Sequence, residues 1–555
     1  MYKDLKVKRP TDTKIQTVHG YRYVYKVLAS TYNKDKKYYV ENRVLVGKMI
    51  DDTYMIPNDN YFSQYNETFL ESEKERPTFS DTVGLGSVLA INKIFDDLKL
   101  TDMLKENIYS DDYDGNTLTN IIKDLVSYML ISESSVFQHY ESYARRHIIN
   151  HNTIINDNTI SNILNSQISF TKIAKFLKAW CEANINEDIY ISYDSTNINS
   201  RALGITLAEY GHAKDDKNIP QVNISCALNQ NNGRPLFFEV YKGSIVDMAE
   251  FSLMVEKAKE YGINRVNFLA DRGYFSKDNL DELRHKKHKF LMMAKSNNEV
   301  IRQQINLVKT TIKSSAYYLF EHEVNGIETE AKLFKSDINS SYIYVYFSKD
   351  NYLKEKKTLL EYLAKLEKEL KAKIGEVIKD EILTRYLKYF DLEIVNNKLV
   401  SFKRDANLID DEIDNYGYFS LISSHKLGAD KALDNYMKRD SIEKLFRMIK
   451  SDMDLDTLRV HSDVSVTSKV FLAFIGAIVR NELLSLTKEL RESDKKNFTV
   501  NSIIRTLDEL EISKNSLDKY VLKYALTSKQ KKIFNALNIK ENLINKTINT
   551  FNNIV

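Results

Sequence analysis

The spacing of apolar residues divides the chain into stretches with different predicted secondary structure. Three tyrosines within 21–25 alternate with other residues as in a strand, 33–37 predicts a turn, and 38–46 predicts a returning strand. From 80–186 the apolar residues recur at the spacing of helices. The N-terminal pattern therefore predicts a β-hairpin, and a helical region follows it.

Short apolar segments of a different kind begin at residue 188. Amphipathic helices are predicted at 247–261 and 278–287. The predicted strands are 188–193, 222–228, 236–241, 266–270 and 290–294. The first three strands follow one another as antiparallel neighbours, and each later strand comes after a helical crossover. This order predicts an α/β domain built on a mixed sheet.

A second β-rich segment separates this block from the strand predicted at 418–422. Residues 300–350 predict more strands, and 353–378 predict a charged helix with leucines at alternating spacings of four and three, as in a short coiled-coil seam. The segment therefore predicts an insertion into one domain. Beyond it, 466–484 predicts a buried helix, and 497–555 predicts mixed-polar helices that end in a frayed Asn-rich tail.

Composition narrows the class of protein. A chain of 555 residues, 43% hydrophobic and 28% charged, predicts three or four folded domains of a soluble protein. Net charge is only +3, but residues 1–50 hold twelve Lys/Arg against four Asp/Glu. That basic, tyrosine-rich ribbon predicts either contact with a phosphate backbone or packing on the next domain.

Cysteine usage and hydropathy indicate the compartment. Cys181 and Cys226 form no CxxC motif and no disulfide framework, which predicts a reducing compartment and no structural zinc. The longest apolar run, 471–479, is too short to span a bilayer, and the N-terminus is charged. We therefore expect an intracellular protein.

The stretch 436–450 carries an unusual polar face if it forms one helix. At 3.6 residues per turn its polar stripe contains an acid, two arginines, a phenol and an ammonium, while an apolar stripe lies beside it. The polar stripe consists of Tyr436, Arg439, Glu443, Arg447 and Lys450. This pattern is compatible with an ordinary salt-bridged helix or with a functional site.

Two aspartates favour the second interpretation. Asp194 and Asp271 each follow a predicted strand, and acids at neighbouring strand ends point into one crevice. With Glu443 they form an oxygen-only ligand set that suits Mg²⁺ or Mn²⁺, and two such ions about 3.5–4 Å apart support phosphodiester cleavage. Arg439 and Lys450 would hold the flanking phosphates. The alternative is that both aspartates only cap strand-to-loop turns.

These motifs resemble one branch of the DDE transposases of bacterial insertion sequences. The spacing Tyr436-x2-Arg439-x3-Glu443-x6-Lys450 is similar to the Tyr-Arg-Glu-Lys signature of that branch. Asp194 and Asp271, in Tyr-Asp-Ser-Thr-Asn and Leu-Ala-Asp-Arg-Gly-Tyr-Phe, resemble the first two acids of its triad. The tyrosine-rich N-terminus and the segments 211–217 and 526–534 also resemble these proteins.

The resemblance implies a fold and a division into domains. The expected fold is an α/β RNase H-like catalytic domain, interrupted by a β-rich and helical insertion, with a basic β-ribbon and helical N-terminal region and a helical C-terminus. The expected parts are a ribbon at 1–75, a helical DNA-end-binding region at 76–186, the two core parts at 187–299 and 416–490, the insertion at 300–415 and a helical region at 491–555.

The resemblance also implies a mechanism. Asp194, Asp271 and Glu443 would hold two Mg²⁺ or Mn²⁺ ions, water would cleave a strand at the transposon end, and the freed 3′-hydroxyl would attack the opposite strand to form a hairpin and later join target DNA. Tyr436, Arg439 and Lys450 would grip the phosphates of double-stranded DNA. Arg447 is added from helical geometry, with a salt bridge to Glu443 or Asp440 as the alternative.

Partners and location follow from the same resemblance. It implies a homodimer that pairs two DNA ends in the cytoplasm, at the nucleoid of a bacterium, with 353–378 and the C-terminal helices as candidate contacts. One departure is that the single tryptophan, Trp180, precedes the first acid. A base flipped out of the DNA would therefore stack on a Tyr or Phe of 317–348, or the hairpin step differs. The competing functions are a catalytically inactive DNA-binding regulator and a metal-dependent nuclease without strand transfer.

Overall fold

The computed structural model describes most of the chain. The described residues are 6–18, 20–33, 38–65, 79–151, 153–185, 189–211, 216, 218–377 and 380–553. They fall into two compact units, Met1–Thr78 and Phe79–Val555. The predicted turn at 33–37, apart from Asn33, and most of the 211–217 segment lie outside the described residues.

The first unit is an antiparallel sheet of five strands covered on one face by a helix. In the order β1-β5-β4-β3-β2, β3 and β4 form the predicted hairpin, which is confirmed. Val24, Val46, Met49, Met55 and Tyr61 form its small core. The elements are β1 Val7–Lys8, β2 Thr13–Val18, β3 Tyr21–Asn33, β4 Tyr38–Met49, β5 Tyr54–Pro57 and α1 Asp59–Tyr65.

The second unit begins with the predicted helical region, which is confirmed. Its helices pack around α4, whose apolar residues are almost all buried. The elements are β6 Thr82–Gly84, α2 Gly86–Asp97, α3 Leu100–Asn107, α4 Gly115–Ile131, α5 Tyr140–Ala144, α6 Asp157–Asn162 and α7 Phe170–Asn184, with a π-helical turn at Ile163–Gln167.

A nine-stranded mixed sheet forms the centre of this unit. Its strands β7, β8 and β9 are consecutive antiparallel neighbours, while β10 runs parallel to β7 and β11 runs parallel to β10. The predicted succession of three antiparallel strands and two crossovers is therefore confirmed. The elements are β7 Tyr190–Asn199, β8 Gln221–Asn229, β9 Pro235–Lys242, α8 Asp247–Glu260, β10 Asn267–Ala270, α9 Lys277–His285 and β11 Lys289–Met293.

The strands that follow extend the same sheet instead of forming a separate inserted one. The order continues β11-β17-β14-β13-β12, all antiparallel. Ile343 to Tyr346 on β14 are buried on both faces, which explains the central position of this continuously apolar strand. The elements are α10 Glu299–Val308, β12 Tyr318–Leu319, β13 Val324–Ala331, β14 Ser341–Phe347 and β17 Tyr418–Ser423.

The rest of the predicted insertion has a core of its own. The leucines of the coiled-coil pattern, from Leu359 to Leu370, are buried against Tyr386, Phe390 and Ile409 of the same segment. The seam is therefore covered within the chain. The elements are α11 Lys349–Ala372, α12 Asp380–Leu387, β15 Phe390–Val395, β16 Lys398–Arg404 and α13 Ala406–Asp414.

The C-terminal part packs against the helical region. The predicted buried helix is α16, and β18 pairs with β6, so 497–555 is not purely helical as predicted. The predicted frayed tail is also wrong as far as Asn552, because Ile544, Ile548 and Phe551 are buried. The elements are α14 Ala429–Met437, α15 Asp440–Arg447, α16 Asp463–Leu486, α17 Lys488–Ser493, α18 Val500–Asp508, β18 Glu511–Lys514, β19 Tyr520–Leu522, α19 Ser528–Ala536 and α20 Glu541–Asn552. Within the described ranges, no helix is long and apolar enough to cross a membrane.

Candidate active site

The parallel pair β7 and β10 brings the two aspartates to the same level of the sheet. Ser192 pairs with Leu269, and Asp194 and Asp271 each follow two residues later. Adjacent strands lie about 4.8 Å apart, so this register makes the two aspartates neighbours. The prediction that the first strand ends at Asp194 is wrong, because β7 stays paired with β8 as far as Asn199.

Both aspartates accept a hydrogen bond from the backbone amide of the next residue. Asp194 accepts a hydrogen bond from the Ser195 amide at 2.8 Å, and Asp271 accepts one from the Arg272 amide at 2.7 Å at the start of a 3₁₀ turn. These bonds orient the carboxylates next to the backbone. Asp271 thus caps the turn that follows β10, whereas Asp194 makes its contact inside β7.

The segment 436–450 is not the single helix that its pattern predicted. Tyr436 lies in the last turn of α14, α15 starts at Asp440, and Met448–Asp452 is a π-helical turn. The break falls where Ser441 donates hydrogen bonds from its amide and its hydroxyl to the Lys438 carbonyl, at 3.1 and 2.7 Å. Asp and Ser favour such helix starts because their side chains bond nearby backbone.

Across this break, Arg439 and Tyr436 join the three acids into one network. Arg439 donates from Nη1 to Asp194 Oδ2 at 3.2 Å and from Nη2 to Glu443 Oε1 at 2.6 Å. Tyr436 Oη donates to Asp271 Oδ1 at 3.3 Å. The structure therefore brings together five of the seven predicted site residues, from β7, the β10 end and two helices.

The electrostatics of the network follow from burial and charge. Burial raises the pKa of Tyr436, Arg439 opposes this, and Asp271 adds to it. For Arg439 burial acts to lower the pKa, but Tyr436 and the three acids outweigh it and raise the pKa. Its side chain is only 12% exposed. Arg439 is therefore a permanent cation held inside an acidic cluster.

The two remaining predicted residues lie further along the same segment. Lys450 is half-buried in the π-helical turn, and Arg447 is exposed on α15. The alternative salt bridges of Arg447 are not formed, because Glu443 pairs with Arg439 and Asp440 pairs with Lys444 at 2.7 Å. An exposed arginine on this helix is available for an external anion.

The donor chemistry of the acids fits a hard divalent cation, but in this structure the three acids are not grouped around one point. The set contains only carboxylate oxygens, as Mg²⁺ and Mn²⁺ prefer. Over the described part of the chain, no group of three or more His, Cys, Asp or Glu residues is placed to bind a metal. The guanidinium of Arg439 forms ion pairs with both Asp194 and Glu443, so a cation bound by these two acids would compete with Arg439 for them.

Comparison with known proteins assigns the family. The family model described as "Transposase DDE domain" matches residues 187–479, more than half of the chain. The chain belongs to the DDE transposase family. The matched range contains β7, β10 and α15, and with them all three acids.

Comparisons with curated sequences and with solved structures give little further information about the chain. No curated protein sequence matches the chain. A solved structure described as the cryo-EM structure of piggyBac transposase synaptic complex with hairpin DNA matches with 12% identity and a TM-score of 0.34, over 88% of this chain and 80% of that chain. A similarity of this size carries no argument about the site.

A polar link that the sequence did not reveal anchors the helix of Glu443 to the sheet. Gln230, in the β8–β9 turn of this transposase, donates from its side-chain amide to the hydroxyl of Ser192 on β7 and to the hydroxyl of Ser441 at 3.0 Å. The link ties the first turn of α15 to the strand of Asp194. An isolated Gln in a turn has no sequence signal for this role.

Trp180 is a core residue of the transposase. It is fully buried, and its Nε1 donates to the Pro235 carbonyl at 2.8 Å. A base flipped out of DNA therefore cannot stack on it. Trp180 lies on α7, which packs on β9, and this packing accounts for a tryptophan at that position in the sequence.

We expect Trp180→Phe to destabilise the fold without weakening DNA binding. The change leaves a cavity and an unpaired carbonyl, which should lower the free energy of unfolding by about 1–3 kcal/mol. Because Trp180 is the only tryptophan, unfolding in urea should be followed by far-UV circular dichroism. Unchanged stability with weaker DNA binding would contradict this assignment.

Proposed function

We propose that this transposase binds the ends of a bacterial insertion sequence, cleaves the DNA there and joins the freed 3′-hydroxyl to target DNA. The observation that carries the proposal is the network in which Arg439 links Asp194 to Glu443 while Tyr436 holds Asp271. Residues of one predicted signature thus meet at one place, inside the range that matches the family.

The core around this site has the arrangement that we expect of an RNase H-like domain. The order β9-β8-β7-β10-β11 combines three antiparallel strands with two parallel ones. One acid comes from the strand β7, one follows β10, and one comes from the helix α15. Such a core supports Asp194, Asp271 and Glu443 as the catalytic acids.

The acids would act on Mg²⁺ or Mn²⁺. Two bound ions of this kind supply an activated water and a counter-charge for the leaving oxygen of the phosphodiester. In the structure Arg439 already neutralises part of the acidic cluster, which otherwise would repel itself. Arg439 therefore has to release Glu443 before the carboxylates can converge.

A DNA phosphate is an anion to which Arg439 can bind in place of Glu443. A guanidinium binds phosphate in bidentate geometry as readily as it binds carboxylate. A phosphate at the DNA end would draw Arg439 away from Glu443, with Tyr436 and Lys450 holding neighbouring phosphates. Arg447, exposed on the same helix, would extend this basic surface along the duplex.

Partners and place of action complete the proposal. Two copies of the transposase would pair the two ends of the element, in the cytoplasm at the bacterial nucleoid. The exposed side of α11 and the C-terminal helices are the candidate contacts between copies. A base flipped out of the DNA during hairpin formation would stack on an aromatic side chain near the site.

Phe320 is our candidate for that aromatic side chain. It is 84% exposed in the turn between β12 and β13. The same turn is tied to α14, the helix of Tyr436, because His322 Nε2 lies 2.9 Å from Asp434 Oδ1. An exposed ring in a turn that contacts the helix of Tyr436 can hold an unstacked base.

We expect Phe320→Ala to slow hairpin formation by roughly tenfold while the first nick forms at the normal rate, because loss of base–aromatic stacking affects only the step with a flipped base. Denaturing gels of end-containing DNA separate the two products. Ile338→Ala is a matched control, since Ile338 is an equally exposed apolar residue in the turn between β13 and β14. Equal hairpin rates in the Phe320 variant and the wild type would remove Phe320 from this role.

The whole proposal is tested with DNA from both flanks of the gene. We expect Mg²⁺-dependent nicks at the element ends and, with target plasmid, joined products. Nicking without joining would indicate a nuclease without strand transfer. Binding without nicking would indicate a DNA-binding regulator.

A further inference from the structure

The outer face of the N-terminal sheet carries a row of tyrosines. Tyr21, Tyr23 and Tyr25 alternate along β3, and the residue between the last two, Val24, lies in the core on the opposite face. Alternate residues on a strand are about 6.8 Å apart. The row is solvent-accessible, with Tyr21 54% exposed and the other two half-buried.

Cations from the neighbouring strand β4 accompany these rings. Lys48 Nζ lies 3.6 Å from the centroid of the Tyr21 ring, and Arg43 Cζ lies 4.9 Å from that of Tyr25. Arg43 also donates to Gln16 on β2 at 2.8 Å. These contacts hold the rings of Tyr21 and Tyr25 in place and set positive charge beside these two rings.

Few carboxylates lie close enough to neutralise Lys48 and Arg43. Glu41 forms an ion pair with Lys14, and Asp52 forms one with Arg22 at 2.6 Å. Neither Lys48 nor Arg43 has a carboxylate partner within 4.0 Å over the described part of the unit. The face therefore offers aromatic surface and uncompensated positive charge together.

From this combination we infer that the outer face of the N-terminal sheet binds single-stranded DNA, with bases on the tyrosine rings and phosphates on Arg43 and Lys48. Rings spaced along one strand can stack only on unpaired bases, because the bases of a duplex are stacked on each other. Phosphates would draw the two cations outward and uncover the ring faces. The choice of DNA over RNA rests on the proposed function.

The inference is tested on the full-length transposase by fluorescence anisotropy with fluorescein-labelled oligothymidine. We expect the triple variant Tyr21→Ala/Tyr23→Ala/Tyr25→Ala to bind at least about tenfold more weakly. The matching triple Tyr→Phe variant keeps the rings and should bind like the wild type. Arg43→Gln/Lys48→Gln should reduce the slope of log affinity against log salt by about one to two.

Tyr109→Ala is the control, because Tyr109 is equally exposed but lies in the second unit. Circular dichroism confirms folding of each variant. Wild-type affinity in the triple-alanine variant, or equal loss in the triple-phenylalanine variant, would overturn stacking as the mode of binding. A loss of duplex binding in the triple-alanine variant as large as its loss of oligothymidine binding would overturn the choice of partner, and equal binding of oligouridine would overturn the choice of DNA.

The same variants separate this inference from the proposed function. Nicking of end-containing DNA depends on the acids of the second unit and not on the tyrosine row. If nicking is absent while oligothymidine binding responds as expected, the proposed function fails and the binding surface stands. If nicking occurs and oligothymidine binding is unaffected by every variant, the binding surface fails alone.

Discussion

Glu443→Gln should lower the rate of DNA cleavage by about a thousandfold or more, while binding of end-containing DNA is retained. The change keeps the size of the side chain and its place beside Arg439, but removes the negative charge that a divalent ion requires. Losing about 4 kcal/mol of transition-state stabilisation corresponds to this factor. Single-turnover nicking in Mg²⁺, together with gel-shift affinity in Ca²⁺, measures both quantities.

Asp440→Asn is the matched control for this variant. Asp440 is an acid on the same helix, exposed and paired with Lys444 instead of with Arg439. It should nick DNA at nearly the wild-type rate, since surface ion pairs contribute little. Nicking that persists in Glu443→Gln would remove Glu443 from the catalytic acids.

Arg439→Gln should uncouple the binding of metal from the binding of DNA. If Asp194 and Glu443 hold the divalent cation as proposed, the guanidinium competes with it for these acids in the wild type, so metal should bind weakly until a DNA phosphate takes Arg439. By linkage, DNA then raises metal affinity and metal raises DNA affinity by the same factor. In the variant, metal should bind more tightly without DNA, and DNA should no longer change its affinity.

The replacement of Arg439 by metal as the counter-ion of the acids should also be visible in the free energy of unfolding of the Arg439→Gln variant. Without metal, the acids lose their counter-ion, and the free energy of unfolding should fall by about 1–3 kcal/mol, less than for a fully buried pair because Glu443 is half-exposed. Added Mg²⁺ should restore stability more in the variant than in the wild type. Calorimetric titration with Mg²⁺ and urea unfolding with and without Mg²⁺ provide the two measurements.

Lys438→Gln is the control for Arg439→Gln. Lys438 is the neighbouring cation, but it bonds Asn435 at 3.1 Å and touches none of the three acids. Its removal changes net charge equally and should leave the coupling intact. The Arg439 variant and the wild type could instead have the same metal affinity and the same dependence of that affinity on DNA. This result would show that Arg439 does not compete with metal for the acids.

Features that depend on local patterns of residues could be predicted before the fold was known. Residue alternation and helical spacing predicted β7 to β11, the helices between them and the buried α16, since burial of one face imposes those periods. Acids at apolar strand ends and the polar stripe of 436–450 indicated Asp194, Asp271 and Glu443 before any contact was known. These signals involve residues close together in the sequence, so they can be recognised without knowledge of the packing.

How these parts meet could not be predicted from local patterns. The 300–350 strands join the central sheet, the predicted helix at 436–450 breaks before Asp440, and Trp180 lies in the core. Arg439 contacts Asp194 from 245 positions away, and Gln230 anchors α15 through Ser441 from 211 positions away. Such contacts depend on strand register and helix placement, which result from packing of the whole unit and leave no periodic trace in the local sequence.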